Sequence, residues 1–357
     1  MNNNLILRAG PKAYALIKEN GLQPDHVSVI HGAAGGPKWL ILNHLDRFLF
    51  STWFKQRQKP LFLIGASSGV WRFASVLQNN PMDAIDRFEY SYIHQSYDSK
   101  PSPHEVSTQG QHILSQILKG DKGKQAILTH PFLRLSIMAV RCKGLTAQEN
   151  KLQQGIGMLS AFIFNAFHRK GLQFFFERAL FYDSRDISPF FNMSDLPIQR
   201  IPLTQQNIEP ALMASGSIPL IMQGVKNIPG ASPGTYRDGG ITDYHMNIPF
   251  FNDQGIVLFP HYTEHIIPGW LDKKLAWRSA SSHYMENLLL IAPSKSFLKS
   301  MPYKKIPDRN DFIRFKGNDL KRIHYWNTAV QMSKILSDEF MEVVNSNKIK
   351  QRVKELL

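Results

Sequence analysis

Three short stretches of this 357-residue chain carry residue types whose chemistry depends on how the backbone holds them. The first is Gly65-Ala66-Ser67-Ser68-Gly69, a G-x-S-x-G pattern between the apolar run LFLI (61–64) and the helical run VWRFASVLQ. Glycines at both ends of such a turn let the chain pass sharply from strand to helix. The serine between them then stands at the carboxyl edge of a sheet, beside a helix N-terminus. Ser67 is the candidate nucleophile, with Gly65 and Gly69 shaping the elbow; a purely structural turn is the alternative. Ser68 is expected only to face the turn.

A serine nucleophile needs a base. The second stretch, YRDGGITDYH, offers Asp238 followed by Gly239 and Gly240. The glycines let backbone and carboxylate come close to another segment. An aspartate in water is a poor base, but in a dry pocket, bonded to a serine hydroxyl, its pKa rises and it can take the proton. An ordinary Asp-Gly turn competes with this reading. Histidine is the commoner base, and His245 or His283, oriented by Asp238, would complete a Ser-His-Asp triad. His261 and His265 lie four apart, but HYTEH lacks the H-E-x-x-H order and Pro260 disturbs a helix there. Both are expected to be solvated loop residues, and no metal site is expected.

The third stretch is HGAAGGPKWL (31–40). A nucleotide-binding P-loop fails here, because Pro37 displaces the lysine and Trp39 stands where a magnesium-binding hydroxyl belongs. An oxyanion hole fits better: it needs backbone amides fixed near a nucleophile at a helix N-terminus. Gly35 and Gly36 can supply them, Pro37 stiffens the turn, and Lys38 adds a positive charge.

These residues need a sheet to position them. VSVI (27–30) reads as a strand running into the glycine turn, and Trp39, Leu42, Leu45, Phe48 and Leu49 follow at helical spacing. LFLI, the serine turn and the next helix repeat that strand–turn–helix order. Adjacent βα units predict a parallel sheet covered by helices. IMAV (137–140), FFFERALFY, IVLF (256–259) and LLLI (288–291) add strands. A short helix is expected over 11–20, a buried helix over IGMLSAFIFNAFHRKG, a polar loop or lid-like insertion over 92–111, and a long helix over 319–344.

Composition sets the outer bounds. Lys plus Arg is 42 against 28 Asp plus Glu, a net charge of +14, which favours an anionic partner without choosing one. The single cysteine, Cys142, lies in a predicted strand and reads as a core hydrophobe. The first residues show no signal-peptide pattern and no run is long enough to span a bilayer, so a cytoplasmic protein is expected. Nucleic acid is not an expected partner, for want of interleaved basic-aromatic or helix-turn-helix signatures.

Gly35-Gly36-Pro37-Lys38, Gly65-Ala66-Ser67-Ser68-Gly69 and Asp238-Gly239-Gly240, in that order, resemble the motif set of the patatin-like phospholipase family. ALMASGSIPLIMQGV (211–225) resembles that family's segment before the aspartate, and ITDYHMNIP its run after it. Ala34 replaces the first of three usual glycines, and Ala33 stands where an acidic residue is common. The resemblance spans 27–252. It implies a three-layer α/β/α sandwich with a mainly parallel sheet, a Ser67–Asp238 dyad without histidine, no cofactor, and hydrolysis of lipid acyl esters. Residues 253–357 then form a basic extension packed on that domain, and IIPGWLDKKLAWR within it is a candidate contact with an anionic membrane surface. A non-catalytic lipid-binding module on the same fold is the remaining alternative.

Overall fold

The computed structural model describes residues 3–97, 100–251 and 255–356. Among them, one sheet gathers β1 (Leu5–Ala9), β2 (Val27–Gly32), β3 (Leu61–Gly65), β4 (Leu133–Cys142), β5 (Phe176–Tyr182), β6 (Ile198–Pro202), β7 (Val225–Lys226), β8 (Thr235–Asp238), β9 (Ile256–Pro260), β10 (Leu288–Pro293) and β11 (Lys354–Glu355). Its order is β11-β1-β10-β9-β2-β3-β4-β5-β6, with β8 on β4 and β7 on β8. The middle of the sheet is parallel from β10 through β9, β2 and β3 to β4, and helices flank it, giving a three-layer α/β/α sandwich. Every residue of β9 and β10 is buried, as strands covered on both faces require.

One feature of β4 brings the chemistry together. Its first half pairs with parallel β3, ending at Gly65 opposite Ile137. Its second half runs beyond β3 and pairs with antiparallel β8, whose last residue, Asp238, sits opposite Ala139. β5 holds the other edge of β4 along Ser136–Cys142. So β3 and β8 share one edge of β4 and meet end to end. Only two β4 positions, about 7 Å at strand rise, separate the end of one from the end of the other.

Segments after 252 are part of this sheet: β9 and β10 lie beside β2 and β1, so the basic C-terminal third is built into the domain. The boundary at 252/253 falls outside the described residues. The helix Pro11–Asn20 ends at Gly21 in a positive-φ conformation (φ 74°), as its sequence predicts. Residues 36–53 form a continuous helical run, tight at Gly36–Leu42, α-helical at Asn43–Phe48 and wide at Leu49–Trp53.

Two expectations are corrected. The stretch 92–111 is not a loop throughout: helix Pro103–Leu118 begins in a capping box, with the Ser102 hydroxyl accepting from Glu105 N (3.2 Å) and the Glu105 carboxylate accepting from Ser102 N (2.6 Å). Its buried stripe, Ile113, Leu114, Ile117 and Leu118, lies past the polar first turns. Helix Lys151–Phe167 does form, but it is not buried: the sheet side takes Gly157, Met158, Ala161 and Asn165, and large apolar residues face outward. The long helix Asp319–Asn345 buries Tyr325, Ala329, Phe340 and Val343, whereas Ile335 is exposed. Among the described residues no helix is long and apolar enough to cross a membrane.

Candidate active site

Ser67 occupies the turn between β3 and helix Ser68–Val76 with φ 54° and ψ −134°, a conformation that favours glycine. Close approach explains the glycines around it. A Cβ on Gly69 would lie 2.2 Å from the Gly32 carbonyl oxygen, and one on Gly32 would lie 2.8 Å from the Gly69 oxygen. The elbow is thus pressed against the end of β2, and Ala66 N donates to Gly32 O (3.1 Å). The helix behind the serine is anchored by Arg72, whose guanidinium grips the buried Asp46 carboxylate (2.7 and 2.5 Å).

The segment MASGSIP holds both Ser67 and Asp238. Ser67 N donates to the carbonyl and to the hydroxyl oxygen of Ser215 (3.0 Å each), while the Ser215 hydroxyl donates to Met138 O in β4 (2.6 Å). Two residues on, Ser217 O accepts from Asp238 N (3.0 Å). Gly216, between them, passes under Trp71; a Cβ there would meet the indole at 2.7 Å.

Asp238 is 6% exposed and Ser67 3%. The Ser67 hydroxyl is close enough to the Asp238 carboxylate to act on its ionisation, and Gly240 N donates to Asp238 Oδ1 (2.8 Å). Burial raises the Asp238 pKa above the ordinary carboxylate value; Arg309, the Gly240 amide, the Ser67 hydroxyl and Lys273 pull against it. Gly239 and Gly240 are required by contact: Cβ atoms would sit 2.1 Å from Met138 O and 2.8 Å from Ala34 Cβ. The latter contact places the aspartate turn against the glycine loop. The segment that follows is locked by Arg178, which bonds Asp243 (2.7 and 2.8 Å) in full burial.

In the glycine loop, Gly36 has φ 58°, and Pro37 starts the tight helix. Ala34 is pinned at both ends: its N–H donates to Tyr244 O (2.9 Å) and its carbonyl accepts the Tyr262 hydroxyl (2.5 Å). Among the described residues the Gly35 and Gly36 amides donate to no acceptor. Two free amides beside a serine–carboxylate pair can receive a developing oxyanion.

His245 belongs to the loop's support. Its Nδ1 accepts from Ile267 N (2.9 Å), so the proton is on Nε2, which donates to the Tyr262 oxygen (2.8 Å). The chain His245–Tyr262–Ala34 is internally complete with a neutral imidazole, and burial drives the His245 pKa well below its ordinary value. His283 is exposed and pairs with Glu286 (3.0 Å). The expectation of two solvated histidines is half corrected: His265 is exposed, but His261 is buried, with Nδ1 2.6 Å from Thr263 O.

No family model matches this chain, and no curated protein matches it.

A narrow cleft above Asp238 is lined by Ala34, Ile218, Pro219, Tyr244, Trp270 and Arg309. Lys38 stacks 4.7 Å from the Tyr262 ring centre and Lys273 3.7 Å from that of Tyr244. Arg309 reaches over Gly36, where a Cβ would lie 2.8 Å from its Nε. None of these three cations has an ion-pair partner among the described residues, unlike Arg72, Arg178 and Arg237. Lys273 as a whole is exposed; partial burial, then the charges of Lys38 and Arg309, lower its pKa to about 7. Sequence reasoning named Lys38 and missed Arg309, Trp270, Tyr262 and Ser215. Arg309 follows Asp308 in a loop with no motif around it; Ser215 lies inside the segment ALMASGSIPLIMQGV and Trp270 inside IIPGWLDKKLAWR, so those two had a signal in the sequence.

Proposed function

We propose that this chain is a serine acyl-ester hydrolase of the patatin-like kind, acting on lipid acyl esters through a Ser67–Asp238 dyad. The observation that carries the reading is the end-to-end meeting of β3 and β8 on one edge of β4, which sets the buried Ser67 beside the buried Asp238 carboxylate.

The chemistry follows from the contacts. Asp238 takes the hydroxyl proton as Ser67 Oγ attacks the ester carbonyl, and its raised pKa makes it a better base than a solvated carboxylate. The tetrahedral oxyanion is received by the Gly35 and Gly36 amides, each such donor being worth roughly a hundredfold to a thousandfold in rate. Asp238 returns the proton to the leaving alcohol. It then accepts one from the water that attacks the acyl-enzyme, and Ser67 regains its proton as the acid leaves. Lys38, Lys273 and Arg309, unpaired around the cleft, favour esters that carry an anionic group.

A histidine triad finds less support, because both ring nitrogens of His245 are engaged away from Ser67 and His283 is exposed. Turnover of a chromogenic acyl ester by wild type, Ser67→Ala, Asp238→Asn and His245→Asn tests the reading. Both dyad variants are expected to lose at least a thousandfold in kcat. Retained turnover in Asp238→Asn with loss in His245→Asn would reverse the assignment.

A further inference from the structure

Helix Lys151–Phe167 carries Leu152, Ile156, Leu159, Ile163 and Phe167 at spacings of four, three, four and four, which places them on one face. All five are exposed, Leu152 by 73% and Phe167 by 87%, and Phe174, exposed by 63%, extends the patch beyond the helix end. A run of this size is far more than the scattered apolar residues of an ordinary surface.

The helix is firmly seated on its other side. Gly157 lets it approach the 144–147 turn, where a Cβ would meet Thr146 N at 2.7 Å. Buried Asn165 donates to Asp272 Oδ1 (2.6 Å), and Gln154 Oε1 accepts from Leu220 N (2.5 Å). Both bonds lead to the cleft: Leu220 follows Ile218 and Pro219, and Asp272 lies two residues after Trp270.

We propose that this face is a docking surface for a lipid bilayer carrying anionic headgroups. It rests on the hydrolase reading only for its purpose, which is to bring the cleft to its substrate. Charge decides the occupant. From Lys151 to Phe174 there is no Asp or Glu, whereas Lys151 and Lys170 are exposed at the two ends of the apolar stripe. Apolar side chains rimmed by cations match the headgroup–acyl boundary of an anionic leaflet. A second copy packed antiparallel on the same face would set Lys151 of one copy against Lys170 of the other.

The test is flotation of Ser67→Ala protein, which leaves the lipid intact, with phosphatidylcholine vesicles and with vesicles containing phosphatidylglycerol. The protein is expected to float with the anionic vesicles. Leu159→Ser/Phe167→Ser in that background should lower the bound fraction at least tenfold with unchanged melting, and Lys151→Glu/Lys170→Glu should remove the preference for anionic lipid. Absence of flotation, or equal flotation by the apolar double variant, overturns the proposal. So does elution as a dimer that this variant converts to monomer, which would assign the face to a second copy. Flotation does not depend on hydrolysis, so a failed docking surface and a failed dyad are read separately; Leu159→Ser/Phe167→Ser with Ser67 intact should keep the turnover of a soluble short-chain ester.

Discussion

Replacing Ser67 by glycine should stabilise the fold relative to replacing it by alanine. Both substitutions delete the hydroxyl and its influence on Asp238, so those losses cancel in the comparison. Both keep the amide that donates to Ser215 and the carbonyl that accepts from Trp71 N (3.2 Å). What differs is the backbone. Alanine must hold φ 54° and ψ −134°, which costs a residue with a Cβ about 1–3 kcal/mol. Glycine sheds that cost but loses about 0.5–1 kcal/mol through the greater freedom of its unfolded chain. The difference centres near 1 kcal/mol in favour of Ser67→Gly, read as a shift in urea midpoint at equal m-value. A Ser67→Gly protein that unfolds at lower urea than Ser67→Ala would refute the claim that the elbow is strained and held by its neighbours.

Four further outcomes are expected. Gly69→Ala should cost several kcal/mol and most of the activity, because its Cβ meets the Gly32 carbonyl at 2.2 Å, whereas Gly155→Ala, on an open helix face, should stabilise by about 0.5–1 kcal/mol in the same melts. Tyr262→Phe leaves the Ala34 carbonyl and the His245 Nε2–H without their partner, about 1–3 kcal/mol each in stability, and should lower kcat at least tenfold with little change in KM. The rising limb of kcat/KM with pH should lie above the ordinary carboxylate range, since Asp238 must be ionised to act as base and burial raises its pKa; Arg309→Ala removes the largest opposing influence and should move that limb to higher pH. Arg309→Ala/Lys273→Ala should raise KM for an ester with an anionic group roughly tenfold more than for its neutral counterpart, measured side by side at low salt.

Much of the architecture was legible because the chain writes its strands as uninterrupted apolar runs. LFLI, IVLF and LLLI read as buried strands, and the strand–turn–helix order around Ser67 follows from them. The glycine positions were legible as well, and the contacts at Gly69, Gly239 and Gly240 give their reasons. Pairing between distant segments was not. Nothing local in TYRD says that β8 adds to the free half of β4, which sets Asp238 beside Ser67. Arg309 was invisible for the same reason: its place over Gly36 depends on how the C-terminal third returns across the sheet edge. Helix Lys151–Phe167 misled because apolar residues on every side read as core, and only the structure separates the seated face from the exposed one.

The central claim is that Ser67 is a nucleophile activated by its surroundings. The direct measurement is intact mass and peptide mapping after treatment of the folded protein with a fluorophosphonate, in wild type and in Asp238→Asn. The account predicts a single adduct on the peptide containing Ser67 in wild type, formed at least a hundredfold more slowly in Asp238→Asn. A folded wild type with no adduct, or an adduct on another residue, would contradict it.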